Sequence, residues 1–307
     1  MQALLIDSSI YIFRSYFTLP ENWHAEQNGY PTQALYGFVN FVLDLLKKQN
    51  PNYIFCAFDE SLHTGFRHQL CANYKINRQL PDPPLAFQLD ACRQLCRVLG
   101  ISEMASDRYE ADDLLASIAA EVRLSGVQPV VISRDKDLKQ IIEADDLYWD
   151  IGKAPPKDQQ QIEEELGFRC QQMADYLALV GDAGDSIAGV PGIGPKTACQ
   201  LLSHYPSVDA ILANCDRIQD LPIRGASKIG DKIALHREQI LLSHQLATIV
   251  DNIDSVPSCD AIAWQGVHTD AFALFCDEMG FGEIFNNRCA QLKQRVINRH
   301  HYPDMDQ

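Results

Sequence analysis

Four short apolar runs, "ALLI" (3–6), "YIFCAF" (53–58), "PVVIS" (129–133) and "LYW" (147–149), are separated by longer stretches of helical periodicity. Parallel strands need crossovers of a dozen or more residues, so this alternation predicts an α/β fold built on a mostly parallel sheet. The segment "PTQALYGFVNFVLDLLKK" (31–48) carries Leu35, Phe38, Val39, Val42, Leu45 and Leu46 on one face and reads as the first crossover helix. From about Pro155 the strand signals fade and short helical patterns take over. The expected organisation is therefore a core over 1–157, an all-α domain over 158–260, and a helical C-terminal tail over 261–307 that frays at "HHYPDMDQ".

Composition limits the function classes. A balance of 46% hydrophobic and 22% charged residues is that of a soluble globular chain, and no run approaches the roughly 18 apolar residues of a membrane span. "MQALLIDSS" lacks the basic start of a signal peptide, so a cytoplasmic protein without a membrane partner is expected. The ten cysteines include no C-x-x-C pair and read as reduced thiols rather than zinc ligands or disulfides. A net charge of −15 argues against nucleic acid, unless many of the carboxylates converge on bound cations.

The position of the acids favours convergence. Asp7 ends the first apolar run, Asp59 the second, and Asp135 and Asp137 follow the third. In an open parallel sheet the ligand crevice lies beyond the carboxyl ends of the strands, so acids far apart in sequence meet at one edge. Glu110 and Asp113 are three apart on one helix face with Asp112 adjoining, and Asp182 and Asp185 in "GDAGD" repeat that spacing. Any one of these acids alone reads as a helix cap. The ordered set reads as a cleft that Mg2+ or Mn2+ would neutralise, since both take oxygen ligands, and a pair of such ions suits phosphodiester hydrolysis.

Two further stretches bear on the substrate. "GVPGIGPKTACQLL" (189–202) approaches a nucleotide-binding loop, but Pro195 separates the glycines from Lys196 and Thr197. The preceding Met173, Tyr176, Leu177 and Val180 are helically spaced, so the stretch reads as a helix, a glycine turn and a second helix over about 173–203. Gly192 and Gly194 would allow the turn and a close backbone approach, Pro195 would open the second helix, and its first N–H groups would hold a phosphate. The other stretch, "FRHQLCANYKINRQLPDPP", holds Arg67, Lys75 and Arg78 with Tyr74 among them. It reads either as a solvated loop or as a grip on a nucleic-acid strand, with cations on the backbone and an aromatic face for stacking.

These motifs together resemble the 5′-nuclease superfamily, which contains the 5′→3′ exonuclease domain of bacterial DNA polymerase I, phage 5′-exonucleases and flap endonucleases. The resemblance runs from Leu4 to about Val250 through "LLIDSS", "FDE", "FRHQLCANYKINR", "YEADD", "SRDKD" and "LVGDAGDSIAGVPGIGPKTA", with "MGFGEIF" beyond. It implies a PIN-like nuclease core with a helical arch at about 66–85, followed by the all-α domain with its helix-hairpin-helix. It implies catalytic roles for Asp7, Asp59, Arg67, Lys75, Glu110 and Asp112. Asp7, Asp59, Glu110, Asp112 and Asp113 would surround a first metal, and Asp135, Asp137, Asp182 and Asp185 a second. Implied DNA contacts are Arg67, Tyr74, Lys75, Arg78, Gly192, Ile193, Gly194, Pro195, Lys196 and Thr197. An implied K+ would be held by the carbonyls of Leu179, Val180, Ala188, Val190 and Ile193.

Some short stand-alone bacterial members of the superfamily have lost acids of the last motif, whereas this chain keeps Asp182 and Asp185. Arg134 stands where the family usually has glycine. The function implied is a monomeric, Mg2+-dependent, structure-specific 5′-nuclease, with Mn2+ as a substitute, acting on DNA with 5′ single-stranded flaps or overhangs beside replication or repair proteins. At this length no polymerase domain is expected. The alternatives are a flap-DNA-binding protein with vestigial catalysis and, less in keeping with the hairpin, a ribonuclease.

Overall fold

A computed structural model of the protein describes residues 1–299, with side chains through Leu292; the frayed end expected at 300–307 lies outside the described residues. Five parallel strands, β1 (Gln2–Asp7), β2 (Tyr53–Asp59), β3 (Ser102–Ser106), β4 (Gln128–Ile132) and β5 (Leu147–Trp149), form one sheet in the order β3-β2-β1-β4-β5. The four apolar runs are β1, β2, β4 and β5. Strand β3 reads "SEMAS", is half-buried throughout, and is an edge strand paired only with β2 from Phe55↔Ser102 to Asp59↔Ser106. Without an apolar run it leaves no strand signal in the sequence.

Helices α1 (Ser8–Thr18), α2 (Gln33–Gln49), α3 (Phe66–Leu70), α4 (Pro83–Val98) and α5 (Ala111–Leu124) pack around the sheet. Side chains alternate across a strand, so Leu4 and Ile6 join one apolar layer with Phe38, Val42, Phe58 and Leu95. Leu5 joins the other with Phe55, Leu114, Ile118 and Val131. Burial on both faces is the state expected of a parallel sheet, and it leaves the carboxyl edge as the open side.

Helix α6 (Gln159–Leu166) was expected to begin the second domain, but its Ile162 packs in the layer with Leu5 and Val131, so the first unit extends through α6. The second unit consists of α7 (Met173–Val180), α8 (Pro195–His204), α9 (Val208–Ala213), α10 (Ala226–Leu235) and α11 (Arg237–Ala247) around Leu177, Leu201, Ile211, Ile233 and Ile240. The chain then returns to the first unit: Ile262 enters its core, and the Trp264 N–H donates to the Asn52 carbonyl at 2.9 Å. Beyond it, α12 (Thr269–Glu278) and α13 (Asn286–Arg299) follow, and Phe272, Phe275 and Phe285 join the layer of α2 and α4. The expected tail is thus a wall of the first unit, because its aromatic residues complete that core.

The 66–85 segment holds one short helix, α3, then turns until Asp82 caps α4 by accepting from the Leu85 N–H at 3.0 Å. It is docked rather than free-standing: Tyr74 sits in the core of the second unit, and the Lys75 N–H donates to the Asp185 carbonyl at 3.0 Å. Among the described residues no helix is long and apolar enough to cross a membrane.

Candidate metal centre and nucleic-acid interface

The carboxyl edge of the sheet gathers a first group of acids. Asp7 and Asp59 end neighbouring strands, Asp135 and Asp137 follow β4, and Asp112 comes from the first turn of α5. Asp59 Oδ1 accepts from the Ala111 N–H at 2.8 Å, which draws that turn to the end of β2. The Ser133 hydroxyl donates to Asp7 Oδ2 at 2.7 Å and accepts from the Asp135 N–H at 2.9 Å, tying β1 to the loop after β4. Sequence reasoning missed Ser133; its place at the end of the third apolar run was the available signal.

At these acids burial and like charge outweigh what opposite charge Lys75 and Lys136 supply. Burial and then Asp59 push Asp7 up to about 7, against the Ser133 hydrogen bond. Burial and then Asp135 push Asp137 up to about 7, against the pull of Lys136. Burial, then Asp135, Asp7 and Asp59, lift Asp112 well above the usual carboxylate range. Asp137 Oδ1 is buried without a partner. Among the described residues no three such groups already stand at coordinating distance. A buried orphan oxygen, repelling neighbours and an all-oxygen donor set fit a hard divalent cation.

A second group of acids is held by the protein's own cations. Glu110 Oε2 lies 2.8 Å from Lys75 Nζ and accepts from Tyr74 Oη at 3.2 Å. Burial opposes its ionisation, but Lys75 and Arg67 outweigh burial and hold the carboxyl below its usual range. Asp185 pairs with Arg78 at 2.6 Å and lies 3.7 Å from Lys75 Nζ. Asp182 pairs with Lys136 at 2.7 Å and accepts from the Gly184 N–H at 2.7 Å; against its burial, these bonds hold it low. A cavity of about 320 Å³ lies against Asp59, Glu110, Lys75 and Arg78, with Phe13, Leu85 and Leu89 as its apolar wall.

Three expected site residues are enclosed by partners within the protein, two of them against Glu110. Asp113 is fully buried; Oδ1 accepts from Arg67 Nη2 (2.7 Å) and the Val250 N–H (2.9 Å), Oδ2 from Arg67 Nη1 (2.6 Å) and the Glu110 N–H (3.0 Å). A carboxylate has about four lone-pair sites, so none remains for a metal. Asp112 and Asp113 diverge because successive helix residues point about 100° apart. Arg67, 3% exposed, donates to the Leu246 and Thr248 carbonyls as well, lies 3.6 Å from Glu110 Oε2, and does not face solvent. Tyr74, 2% exposed, offers no face for a base.

The hairpin helices are α7 and α8. Positive φ falls at Gly192 (+81°) and Gly181 (+82°), whereas Gly194 is the N-cap of α8 at φ −101° with open space above it. A side chain at Gly181 would meet the Gly189 nitrogen at 2.5 Å, so those two glycines carry the close approach of the loop to itself. Pro195 and Lys196 are exposed at the start of α8, Thr197 is half-buried, and the Ile193 side chain is buried. Lys232, which sequence reasoning missed, donates to the Pro191 carbonyl at 3.1 Å and adds a cation beside the turn. Of the expected K+ carbonyls, that of Ala188 already accepts from Gln239 Nε2 (2.9 Å) and Ser243 Oγ (2.8 Å), filling both lone pairs. Leu179 and Val190 each accept one backbone bond, from Val190 and Ile193.

Residues 2–167 match the family of 5′-3′ exonuclease N-terminal, resolvase-like domains, and residues 168–270 that of 5′-3′ exonuclease C-terminal domains of SAM fold. The 5′-3′ exonuclease of Aquifex aeolicus is 32% identical over 81% of this chain and 82% of its own length. DNA polymerase I of Bacillus caldotenax is 34% identical over 91% of this chain, which spans only 31% of that polymerase. In structure, the flap endonuclease of bacteriophage T5, in a pseudo-enzyme-product complex with DNA and metal ions, superposes with a TM-score of 0.65 at 17% identity, over 96% of this chain and 100% of that one. By sequence over both of its units, the chain belongs to the 5′-3′ exonuclease family.

Proposed function

We propose that the protein is a structure-specific 5′-nuclease that hydrolyses DNA phosphodiesters, as 5′→3′ exonuclease and flap endonuclease, where single strand meets duplex. The observation that carries this reading is the set of unpaired acids at the carboxyl edge, one of which, Asp59, lines a cavity together with Lys75 and Arg78. Asp7, Asp59, Glu110 and Asp112 would hold one divalent cation, and Asp135, Asp137, Asp182 and Asp185 another. Mg2+ is the natural occupant, with Mn2+ as a substitute. When bound, such a pair of cations supplies an activated water and stabilises the leaving oxygen.

The chain's own groups orient the substrate. Lys75, with φ +49°, and Arg78 bridge the acids of both units and would meet the phosphate at the cut. The exposed start of α8, with Gly192, Gly194, Pro195, Lys196 and Thr197, would hold a duplex phosphate on free N–H groups. K+ would be bound by the carbonyls of Leu179, Val180, Val190 and Ile193, without Ala188. Asp113, Arg67 and Tyr74 act as scaffold in this reading. The enzyme would work as a cytoplasmic monomer beside replication or repair proteins.

The test is cleavage of a 5′-flap DNA in Mg2+. Asp112→Ala should lower the rate about a thousandfold, as loss of several kcal/mol of charge stabilisation implies, while circular dichroism stays native. Near-normal cleavage by that variant would overturn the site, and equal cleavage of an RNA flap would overturn the choice of DNA.

A further inference from the structure

A second cavity, of about 220 Å³, is lined by Tyr148 of β5 and by residues that follow β4 and β5, among them Arg134, Lys136, Lys139, Lys153 and Lys157. Five cations around so small a space stand out in a chain of net charge −15. Five carboxylates answer them, Asp135 and Asp137 both acting on Lys136. Asp150 takes Arg134 at 3.2 Å and Lys153 at 3.5 Å, Asp182 takes Lys136, and Glu165 takes Lys157. Lys139 stands 5.8 Å from the ring centre of Tyr148. Cations and carboxylates around the cavity are thus close to balance, and what it offers a ligand is its exposed rim of guanidinium and ammonium groups.

Its frame is built and connected to the acids. Tyr148 and Lys157 exchange both backbone hydrogen bonds at 2.9 Å, and Trp149 Nε1 donates to the Ala154 carbonyl at 3.1 Å, which fixes the 149–156 loop. Tyr148 Oη donates to the Asp135 carbonyl at 2.9 Å, which ties the floor of the cavity to the acid loop after β4. Lys136 belongs to both, lining the cavity while it holds Asp182. The cations form a rim rather than a closed box: the Lys153 side chain is 70% exposed and that of Arg134 33%. An open rim of this kind suits a chain passing across it better than a small molecule enclosed within it. Arg134, at the position where the family resemblance has glycine, brings a planar fork suited to phosphate oxygens.

We propose that this cavity holds a backbone phosphate of the DNA strand on the Asp135 and Asp182 side of the cut, with Arg134 and Lys153 as the contacting residues. The assignment rests on the nuclease reading for its ligand, and its test separates the two. Binding of flap DNA is measured with Ca2+ in place of Mg2+ over a salt series. Arg134→Gln combined with Lys153→Gln should weaken binding about five- to tenfold and flatten the slope of log K against log salt by about one or more, as lost phosphate contacts do. Lys48→Gln, which removes an exposed charge on α2, serves as the charge control and should leave the slope unchanged.

A native urea midpoint verifies that the double variant is folded. Wild-type affinity and slope in that variant, with the unaltered protein cleaving normally, would overturn the cavity and leave the nuclease reading intact. A flattened slope in the double variant, with an unaltered protein that binds flap DNA but does not cleave it, would support the cavity and count against the nuclease. Competition by a 5′-mononucleotide that the double variant no longer shows would overturn the polymer in favour of the released product.

Discussion

Asp7, Asp112 and Asp137 make no ion pair among the described residues, whereas Glu110, Asp182 and Asp185 each hold a lysine or arginine. The first three come from the sheet edge and the first turn of α5, where burial and like charge push all of them up. Of the other three, Asp182 and Asp185 belong to the loop after α7, and Lys75 links Asp185 to Glu110 across the gap between the units. The difference teaches that like charge is least compensated at the sheet edge, where Lys75 and Lys136 act on Asp112 and Asp137 only from beyond pairing distance, and it is there that the proposed cation would be needed most. In the paired group Lys75, Arg78 and Lys136 already supply the charge.

Asp113 is the extreme of the paired class, and removing its partner tests the distinction most severely. Arg67→Ala leaves a fully buried carboxylate with no cation and should cost about 3–5 kcal/mol, the usual result of breaking a buried pair. Urea unfolding measures it, and a loss below about 1 kcal/mol would show that Asp113 is not held as its four hydrogen bonds imply.

The unpaired class is tested by pH. An unfolded aspartate ionises near 4 and Asp7 in the fold at about 7. Between those values the folded protein carries the extra proton, so stability in chelator falls as pH rises through the window, and the penalty is complete above about pH 7. Each unit is worth about 1.4 kcal/mol, so the urea midpoint should drop clearly from pH 5 to pH 8. Saturating Mg2+ should remove most of the drop, and Asp7→Asn should flatten it. A pH-independent midpoint in chelator would place Asp7 with the paired acids.

The smallest effect is expected where a pair is exposed. The Lys136 side chain is 56% exposed, so Lys136→Met should change stability by less than about 1 kcal/mol. It also frees Asp182, and Mn2+ affinity, followed by titration calorimetry, should rise a few fold. Weaker Mn2+ binding would mean that Lys136 positions the acid rather than neutralising it.

The strand-end acids were legible because β1, β2 and β4 are apolar runs that stop at or just before a carboxylate. Charge partners were not. Arg67, Tyr74 and Lys75 read as an exposed basic patch, since a linear sequence gives the density of cations but not their burial. Arg67 meets the carbonyls of Leu246 and Thr248 from the far end of the second unit, a contact that no local pattern encodes. The same limit hid β3, whose "SEMAS" finds its place only through β2, and the role of Phe272 and Phe285, whose partners lie on α2 and α4. Gly192 rather than Gly194 takes the left-handed turn because Gly194 already begins α8 in extended form.

The Arg67–Asp113 clamp on residues 246–250 has a consequence for how such chains can be recombined. The second unit enters after α6 and leaves past α11 into a wall of the first, so both of its ends are anchored, and the exit is bolted beside Glu110. A helical module grafted from a relative would have to present two carbonyls and one N–H at the spacing that this arginine and this aspartate demand. A graft that misses that spacing would disturb the start of α5, and with it the cleft, even if its own hairpin folded correctly.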